Sequence, residues 1–266
     1  MSDARLSERV ILVIGGTSGL GLSAVKALLR HGAKVIFTGK NADEVAAVAS
    51  QLGSNALGVA ADATDPASSE MAVERAVQAF GRVDGLYHVA GGSGRAKGDG
   101  SLHEVTDEGW HFTLELNLSS VFYSNRAVIR RFLAQASSGT ILNMASVLAS
   151  SPSPGFFATH AYAAAKAGVI GMSRAAAARY AAQNIRVNVV APGLVETPMS
   201  QRALNDPDIM EFVRSKQPLD GGRAGSPSDL DDAVVYFLSD ASRFVTGQVL
   251  ALDGGWSVSD GRDRRL

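Results

Sequence analysis

The chain of 266 residues contains no cysteine, which excludes disulfides, thiolate metal sites and cysteine nucleophiles together. No apolar run approaches the ~20 residues that a membrane helix needs. The start, Met1-Ser-Asp-Ala-Arg-Leu-Ser-Glu-Arg9, is polar and is not expected to be a signal peptide. An excess of one charge is also missing. With 25 basic against 26 acidic side chains, the formal net charge is -1 and gives no electrostatic reason to expect nucleic acid or an anionic membrane as a partner. The basic cluster Arg262, Arg264 and Arg265 reads as a solvated tail. No metal site is expected, and a cytoplasmic location follows by default. No repeat or linker divides the chain, so its 46% hydrophobic content reads as one large α/β domain over 1–266.

What the chain does have is an alternation of apolar runs with helical patterns. Val10-Ile-Leu-Val-Ile14 is apolar without alternation, the pattern of a parallel strand buried on both faces. Gly15-Gly16-Thr17-Ser18-Gly19-Leu20-Gly21 follows at once and passes into a helical pattern that runs to Arg30. Strand, glycine turn and helix describe a dinucleotide site, because bare backbone can approach a pyrophosphate and helix N–H groups point at it. Further strands are predicted at 34–38, 56–60, 84–90, 139–145, 185–191 and 248–252. Helices are predicted over about 42–52, from near Pro66, over 107–133 and 160–182, and to about Leu238 with Ser228 as its cap. Asp62 ends the third strand, where it either reaches an adenine amino group or caps the helix beginning near Pro66. His88, inside a strand, reads as a hydrogen-bonded core residue, and Ser93–Gly100 as a mobile surface loop. Asn117 is flanked by leucines, so it is expected to be partly buried and hydrogen-bonded, either as a structural bridge, the favoured reading from this residue alone, or as a site residue. The irregular stretch 194–226 reads as a substrate lid.

Tyr162 and Lys166 stand four residues apart in a run of helix formers and therefore share a helix face. At an effective dielectric of about 20, an ammonium ~4 Å from a phenolate attracts it by about 4 kcal/mol. That would bring a tyrosine pKa of about 10 down to about 7. Desolvation opposes the change, and the positive charge of an oxidised nicotinamide ring would assist it. Ser146 follows the fifth strand and would lie close to Tyr162 if the next helix folds back.

Together these motifs resemble the short-chain dehydrogenase/reductase family over nearly the whole chain. The family's glycine signature, G-x-x-x-G-x-G, falls on Gly15, Gly19 and Gly21, with Ile14 where a threonine usually precedes it. Its Asn, Ser, Tyr, Lys tetrad falls on Asn117, Ser146, Tyr162 and Lys166. Pro192-Gly193 and Thr197 match the segment that faces the nicotinamide, and Thr246–Gly255 is similar to the C-terminal signature. His88-Val-Ala-Gly91 departs from the usual Asn-Asn-Ala-Gly, which weakens a sheet-bracing contact and not the chemistry.

The resemblance implies a Rossmann fold, a doubly wound parallel sheet of seven strands in the order 3-2-1-4-5-6-7 with helices on both faces. It implies a nicotinamide cofactor held by Gly15, Thr17, Ser18, Gly19, Leu20, Gly21, Gly39, Lys40, Asp62, Ala63, Ala90, Gly91, Tyr162, Lys166, Pro192, Gly193, Val195 and Thr197. Tyr162 would transfer the proton and Ser146 would polarise the carbonyl oxygen. Lys166 would lower the tyrosine pKa and hold the nicotinamide ribose, while Asn117 would support a proton-relaying water. A homotetramer packed through the helices around 107–133 and 160–182 is implied as well, in keeping with the small residues of the second helix.

Two other classes of function stay open. A dinucleotide-binding sensor or scaffold would keep the fold without turnover, although it has no need of the tetrad. A sugar-nucleotide epimerase or dehydratase would need a sizeable C-terminal substrate domain. The segment Val147–Phe157 is expected to line the substrate pocket; it is uncharged with two aromatics, so a neutral ketone or alcohol is expected in preference to a carboxylate or phosphate. Reduction of a carrier-bound 3-oxoacyl group remains an alternative because Arg126, Arg130 and Arg131 could meet an acidic carrier. NAD-selective sites place a carboxylate at the end of the second strand. Here Gly39 and Lys40 stand there, so NADP(H) is expected over NAD(H), although Ser18 takes a place where phosphate binders often carry a basic residue.

Overall fold

In the computed structural model, which describes residues 5–261, seven strands form one parallel sheet. They are β1 (Val10–Ile14), β2 (Lys34–Gly39), β3 (Ala56–Ala60), β4 (Gly85–His88), β5 (Gly139–Met144), β6 (Ile185–Pro192) and β7 (Val249–Leu252), in the order β3-β2-β1-β4-β5-β6-β7. The tail arginines Arg262, Arg264 and Arg265 lie outside the described residues. Strand β1 shows why its sequence does not alternate. Ile11 and Val13 pack with Val25 and Leu28 of α1 (Gly19–Arg30) and Leu238 of α9 (Asp231–Leu238). Val10, Leu12 and Ile14 enter a second cluster on the opposite face, with Ala72 and Ala76 of α3 (Pro66–Phe80) and Val128 and Phe132 of α5 (Ser120–Ala134). Each side chain buried in this way contributes on the order of 1.5–3 kcal/mol.

Strand order reverses between β1 and β4, which opens a crevice at their carboxyl ends. The two exits are tied together there: Val89 and Ala90 both donate from backbone N–H to Ile14 O, at 3.0 and 2.8 Å. The short α2 (Ala42–Leu52) flanks β2 and β3, and α6 (His160–Tyr180) runs from the crevice along β5 and β6.

Four local expectations change. The predicted helix over 107–133 is continuous but wound in two pieces, α4 (Asp107–Leu114) and α5, with a π-helical turn at Glu115–Ser119 between them. Asn117 Nδ2 donates to Thr113 O at 3.0 Å and Ser120 Oγ to Leu116 O at 2.7 Å, and such side-chain bonds compete with the regular helical ladder. Asp65, not Asp62, caps α3, accepting from Ala67 N. Ser226, not Ser228, caps the 3-10 turn Pro227–Leu230 that leads into α9. Both corrections have one cause: proline favours the first helical position, so the residue just before Pro66 or Pro227 becomes the cap.

The fourth concerns the glycine-rich loop after β4, whose far end is tied to the start of α6. Asp99, only 5% exposed, accepts from the N–H groups of Ala161 and Tyr162, both at 3.0 Å. A carboxylate at the positive end of α6 is favourable, and it fixes the first turn that carries Tyr162. Within 194–226 the chain forms α7 (Gln201–Leu204) and α8 (Pro207–Lys216), closed at the base by Glu196 N to Gly225 O at 2.8 Å and Gly225 N to Leu194 O at 2.9 Å. Among the described residues no helix is long and apolar enough to cross a membrane.

Candidate active site

A cleft of about 440 Å³ runs along the carboxyl ends of the central strands, and all twenty residues singled out from the sequence border it. Its floor is the glycine turn. A Cβ on Gly21 would stand 1.8 Å from Gly15 O, so α1 starts in direct contact with the end of β1. The Ser18 side chain caps nothing there, so the first N–H groups of α1 keep no side-chain partner from it. A bare turn beneath a helix N-terminus fits a pyrophosphate. Thr197 comes across from the other wall, with its methyl 3.2 Å from where a Gly19 Cβ would be.

At the far end of β2, a Cβ on Gly39 would meet Thr17 Cγ2 at 2.4 Å. An acidic side chain at this position therefore requires Thr17 to turn. Lys40 Nζ lies 2.7 Å from Asp62 Oδ2, with the lysine side chain 83% exposed. Asp62 also accepts from Thr64 N at 3.0 Å and Thr64 Oγ1 at 2.7 Å. Lys40, and then Thr64, hold the Asp62 carboxyl down at about 2.

The other end of the cleft holds the tetrad. Asn117 is fully buried, and its amide is wholly engaged with protein: Nδ2 donates to Gly92 O and Thr113 O and Oδ1 accepts from Gly92 N, each at 3.0 Å. The side chain therefore fastens the long helix to the loop after β4. Lys166 is 2% exposed; its Nζ donates to Met144 O at 3.0 Å and lies 5.5 Å from the centre of the Tyr162 ring. Burial pushes this ammonium down to about 8. Burial also pushes the Tyr162 hydroxyl up to about 12, against a lowering hydrogen bond with Ser146. The expected fall toward 7 does not occur in the protein alone, because desolvation of the buried hydroxyl dominates.

His88 is indeed a core residue. It is fully buried, with Nδ1 2.7 Å from Ser124 Oγ and Nε2 3.4 Å from Ser120 Oγ, and burial pushes its pKa down to about 3. Two serines of α5 thus brace the strand where the family usually has asparagine.

Beyond Ser146 and Tyr162 a second cavity of about 140 Å³ opens, walled by Val147, Leu148, Phe157, Leu194, Met199 and Trp256. Ser146 and Tyr162 border both cavities. The 147–157 segment supplies apolar wall as expected, yet the pocket is not free of charge, since Arg202 lines it. Trp256 was not legible from the sequence. It is 1% exposed, packs edge-on to Phe157 and Phe212 with ring centres 5.5 and 5.7 Å away, and donates from Nε1 to Ser151 O at 3.1 Å. Among the described residues no group of three or more His, Cys, Asp or Glu is placed to hold a metal ion.

Comparison with known proteins places this geometry. Residues 15–257 match the family described as enoyl-(acyl carrier protein) reductase. The chain is 36% identical over 254 residues to a cis-4-hydroxycyclohexanecarboxylate dehydrogenase of Sinomonas cyclohexanicum, covering 95% of this chain and 98% of the relative. It is 37% identical over 247 residues to the 3-oxoacyl-(acyl-carrier-protein) reductase FabG of Escherichia coli strain K12, covering 93% and 96%. A solved short-chain type dehydrogenase/reductase from Mycobacterium ulcerans superposes with a TM-score of 0.88 at 30% identity, covering 97% of this chain and 93% of that one. The chain belongs to the short-chain dehydrogenase/reductase family, oxidoreductases that act on CH–OH and C=O groups.

Proposed function

We propose that the protein interconverts a secondary alcohol and a ketone, with Tyr162 as the acid/base. The observation that carries this reading is that Ser146 and Tyr162 form the boundary shared by the cofactor-sized cleft and the smaller apolar cavity. A nicotinamide bound in the cleft supplies or accepts the hydride. The protein's part is to hold the substrate oxygen and to move one proton. Ser146 and Tyr162 both border the smaller cavity, so a substrate oxygen placed between their hydroxyls would meet two donors. In reduction the Tyr162 hydroxyl gives its proton to that oxygen; in oxidation the phenolate takes it back. Lys166 holds ribose hydroxyls and lends its charge to the phenolate, and Asn117 keeps the loop at Gly92 in register. The segment 194–226, closed at its base, serves as the cover over the smaller cavity. Absorbance at 340 nm with a panel of secondary alcohols and ketones tests the reading; a protein that binds cofactor but turns over none of them would be a sensor or scaffold instead.

The carrier-bound alternative is compatible with the identity to FabG but is not the better reading, because the arginines that would meet an acidic carrier are occupied. Arg130 pairs with Glu70 at 3.0 Å, Arg131 Nε donates to Gln135 at 2.7 Å, and Arg126 lies 4.8 Å from the Phe122 ring centre, so each arginine is engaged locally.

NADP(H) is the preferred cofactor in this reading. Gly39 presents no carboxylate to repel a 2′-phosphate, and the exposed Lys40–Asp62 pair is of the kind worth only about 0–1 kcal/mol, so Lys40 can change partners. The ratio of kcat/KM for NADPH over NADH is expected to exceed unity and to fall by about tenfold in Lys40→Ala. A wild type that prefers NADH would refute it.

The assembly is a homotetramer in the same reading. Ala164, Ala167, Gly171, Ala175 and Ala178 make an exposed stripe of small side chains along α6, and Phe112 and Phe122 stand exposed on α4 and α5. Small residues let helices approach closely. Light scattering at micromolar concentration should give four times the chain mass of 27.7 kDa, and a monomer would exclude the arrangement.

A further inference from the structure

Arg95 and Arg202 come from distant segments and meet at the edge of the smaller cavity, which Arg202 lines and Arg95 does not. Ser93, two residues before Arg95, lines it as well. Both guanidiniums donate from Nη2 to the same acceptor, Phe156 O, at 3.0 and 3.1 Å. Among the described residues neither has an ion-pair partner within 4.0 Å. The neighbouring carboxylate, Asp99, is committed to the backbone of Ala161 and Tyr162. Each guanidinium has five N–H donors, so one shared neutral carbonyl leaves most of them without a protein acceptor. Two cations meeting on an uncharged oxygen also repel each other. Burial, followed by the charge of Arg202, lowers the pKa of Arg95, with Asp99 opposing.

An anion between the two groups would relieve that repulsion and supply acceptors for both forks. The rest of the cavity gives the spacing. Ser146 and Tyr162 lie on its wall, Val147, Leu148, Phe157 and Trp256 supply apolar surface, and Arg202 adds the charge. We propose that the substrate is an organic carboxylate whose anionic group, separated from the reacting carbon by an apolar body, is read by Arg95 and Arg202. This rests on the same cavity being the substrate site, and it reverses the expectation of a neutral ligand drawn from residues 147–157 alone.

The test uses binding, so that it does not depend on turnover. Titration calorimetry at fixed ionic strength compares cyclohexanecarboxylate with cyclohexanecarboxamide, which share shape but not charge, in the presence of saturating NADPH. The carboxylate is expected to bind at least about tenfold more tightly. Arg95→Gln and Arg202→Gln should each remove most of that preference and leave the amide unchanged, while Arg202→Lys keeps part of it. Equal affinities, no binding of either probe, or equal losses for both probes in the glutamine variants would overturn the proposal; the last result would make the arginines braces for the Phe156 turn. Tyr162→Phe separates the two readings. A carboxylate preference that survives in this variant, beside a wild type that oxidises no alcohol, would leave the anion site standing and remove the oxidoreductase reading. Alcohol oxidation without carboxylate preference would do the reverse.

Discussion

Tyr162→Phe is expected to lower kcat by at least about 10³-fold while changing cofactor affinity by less than about twofold. The variant loses one oxygen, and the ring that packs near Lys166 stays. Among the described residues no other group bordering the smaller cavity is placed to move the proton: Ser146 is not titratable near neutral pH, and His88, which does not line the cavity, is sealed in the core with its pKa near 3. Direction matters for the pH profile. With the Tyr162 hydroxyl held near 12, the protein presents a protonated phenol throughout the neutral range, ready for carbonyl reduction. Oxidation needs the phenolate. Between pH 6 and 8, kcat/KM for alcohol oxidation should therefore rise by about tenfold per pH unit, while that for reduction stays nearly flat. A Tyr162→Phe protein with more than a tenth of wild-type kcat, or a reduction rate that rises as steeply as oxidation, would remove Tyr162 from the role.

The residues of the large cleft were legible because nearly all of them end a strand or open a helix. In a parallel sheet the carboxyl ends lie at one edge, so Gly15, Gly39, Asp62, Ala90, Ser146 and Pro192 are gathered there by topology alone. Asp99, Arg202 and Trp256 belong to stretches without periodicity, and no repeat of 2 or 3.6 says which way their side chains face. Asp99 becomes a helix cap only once the loop after β4 is known to reach the start of α6. The pocket's charge was missed for the same reason, since residues 147–157 are uncharged and Arg202 arrives from beyond β6. The pKa of Tyr162 failed differently. Spacing places Lys166 on the same helix face, but it says nothing of depth, and depth sets the desolvation that dominates here.

Lys166→Met should abolish activity and weaken cofactor binding by at least about tenfold, yet leave a fold as stable as the wild type or more so at pH 7. The ammonium is 2% exposed with Met144 O as its acceptor, and its pKa is pushed from 10.5 to about 8 by burial. A depression of that size corresponds to roughly 3 kcal/mol of destabilisation while the group is charged. Methionine has similar length and no charge, so it removes this cost; leaving Met144 O without a donor returns about 1–3 kcal/mol of it. The sign of the pH dependence is distinctive. Below pH 8 the lysine is protonated in both folded and unfolded chains, and the wild type carries the whole penalty. Between pH 8 and 10.5 the folded lysine is neutral while the unfolded one still binds its proton, so wild-type stability rises with pH relative to the variant. Denaturant unfolding at pH 7 and pH 10 would measure it. The difference between variant and wild type should move by about 2–3 kcal/mol in favour of the wild type over that interval. A constant difference would mean that Lys166 is solvated enough to keep an ordinary pKa, and its buried charge could then not be the electrostatic partner of Tyr162.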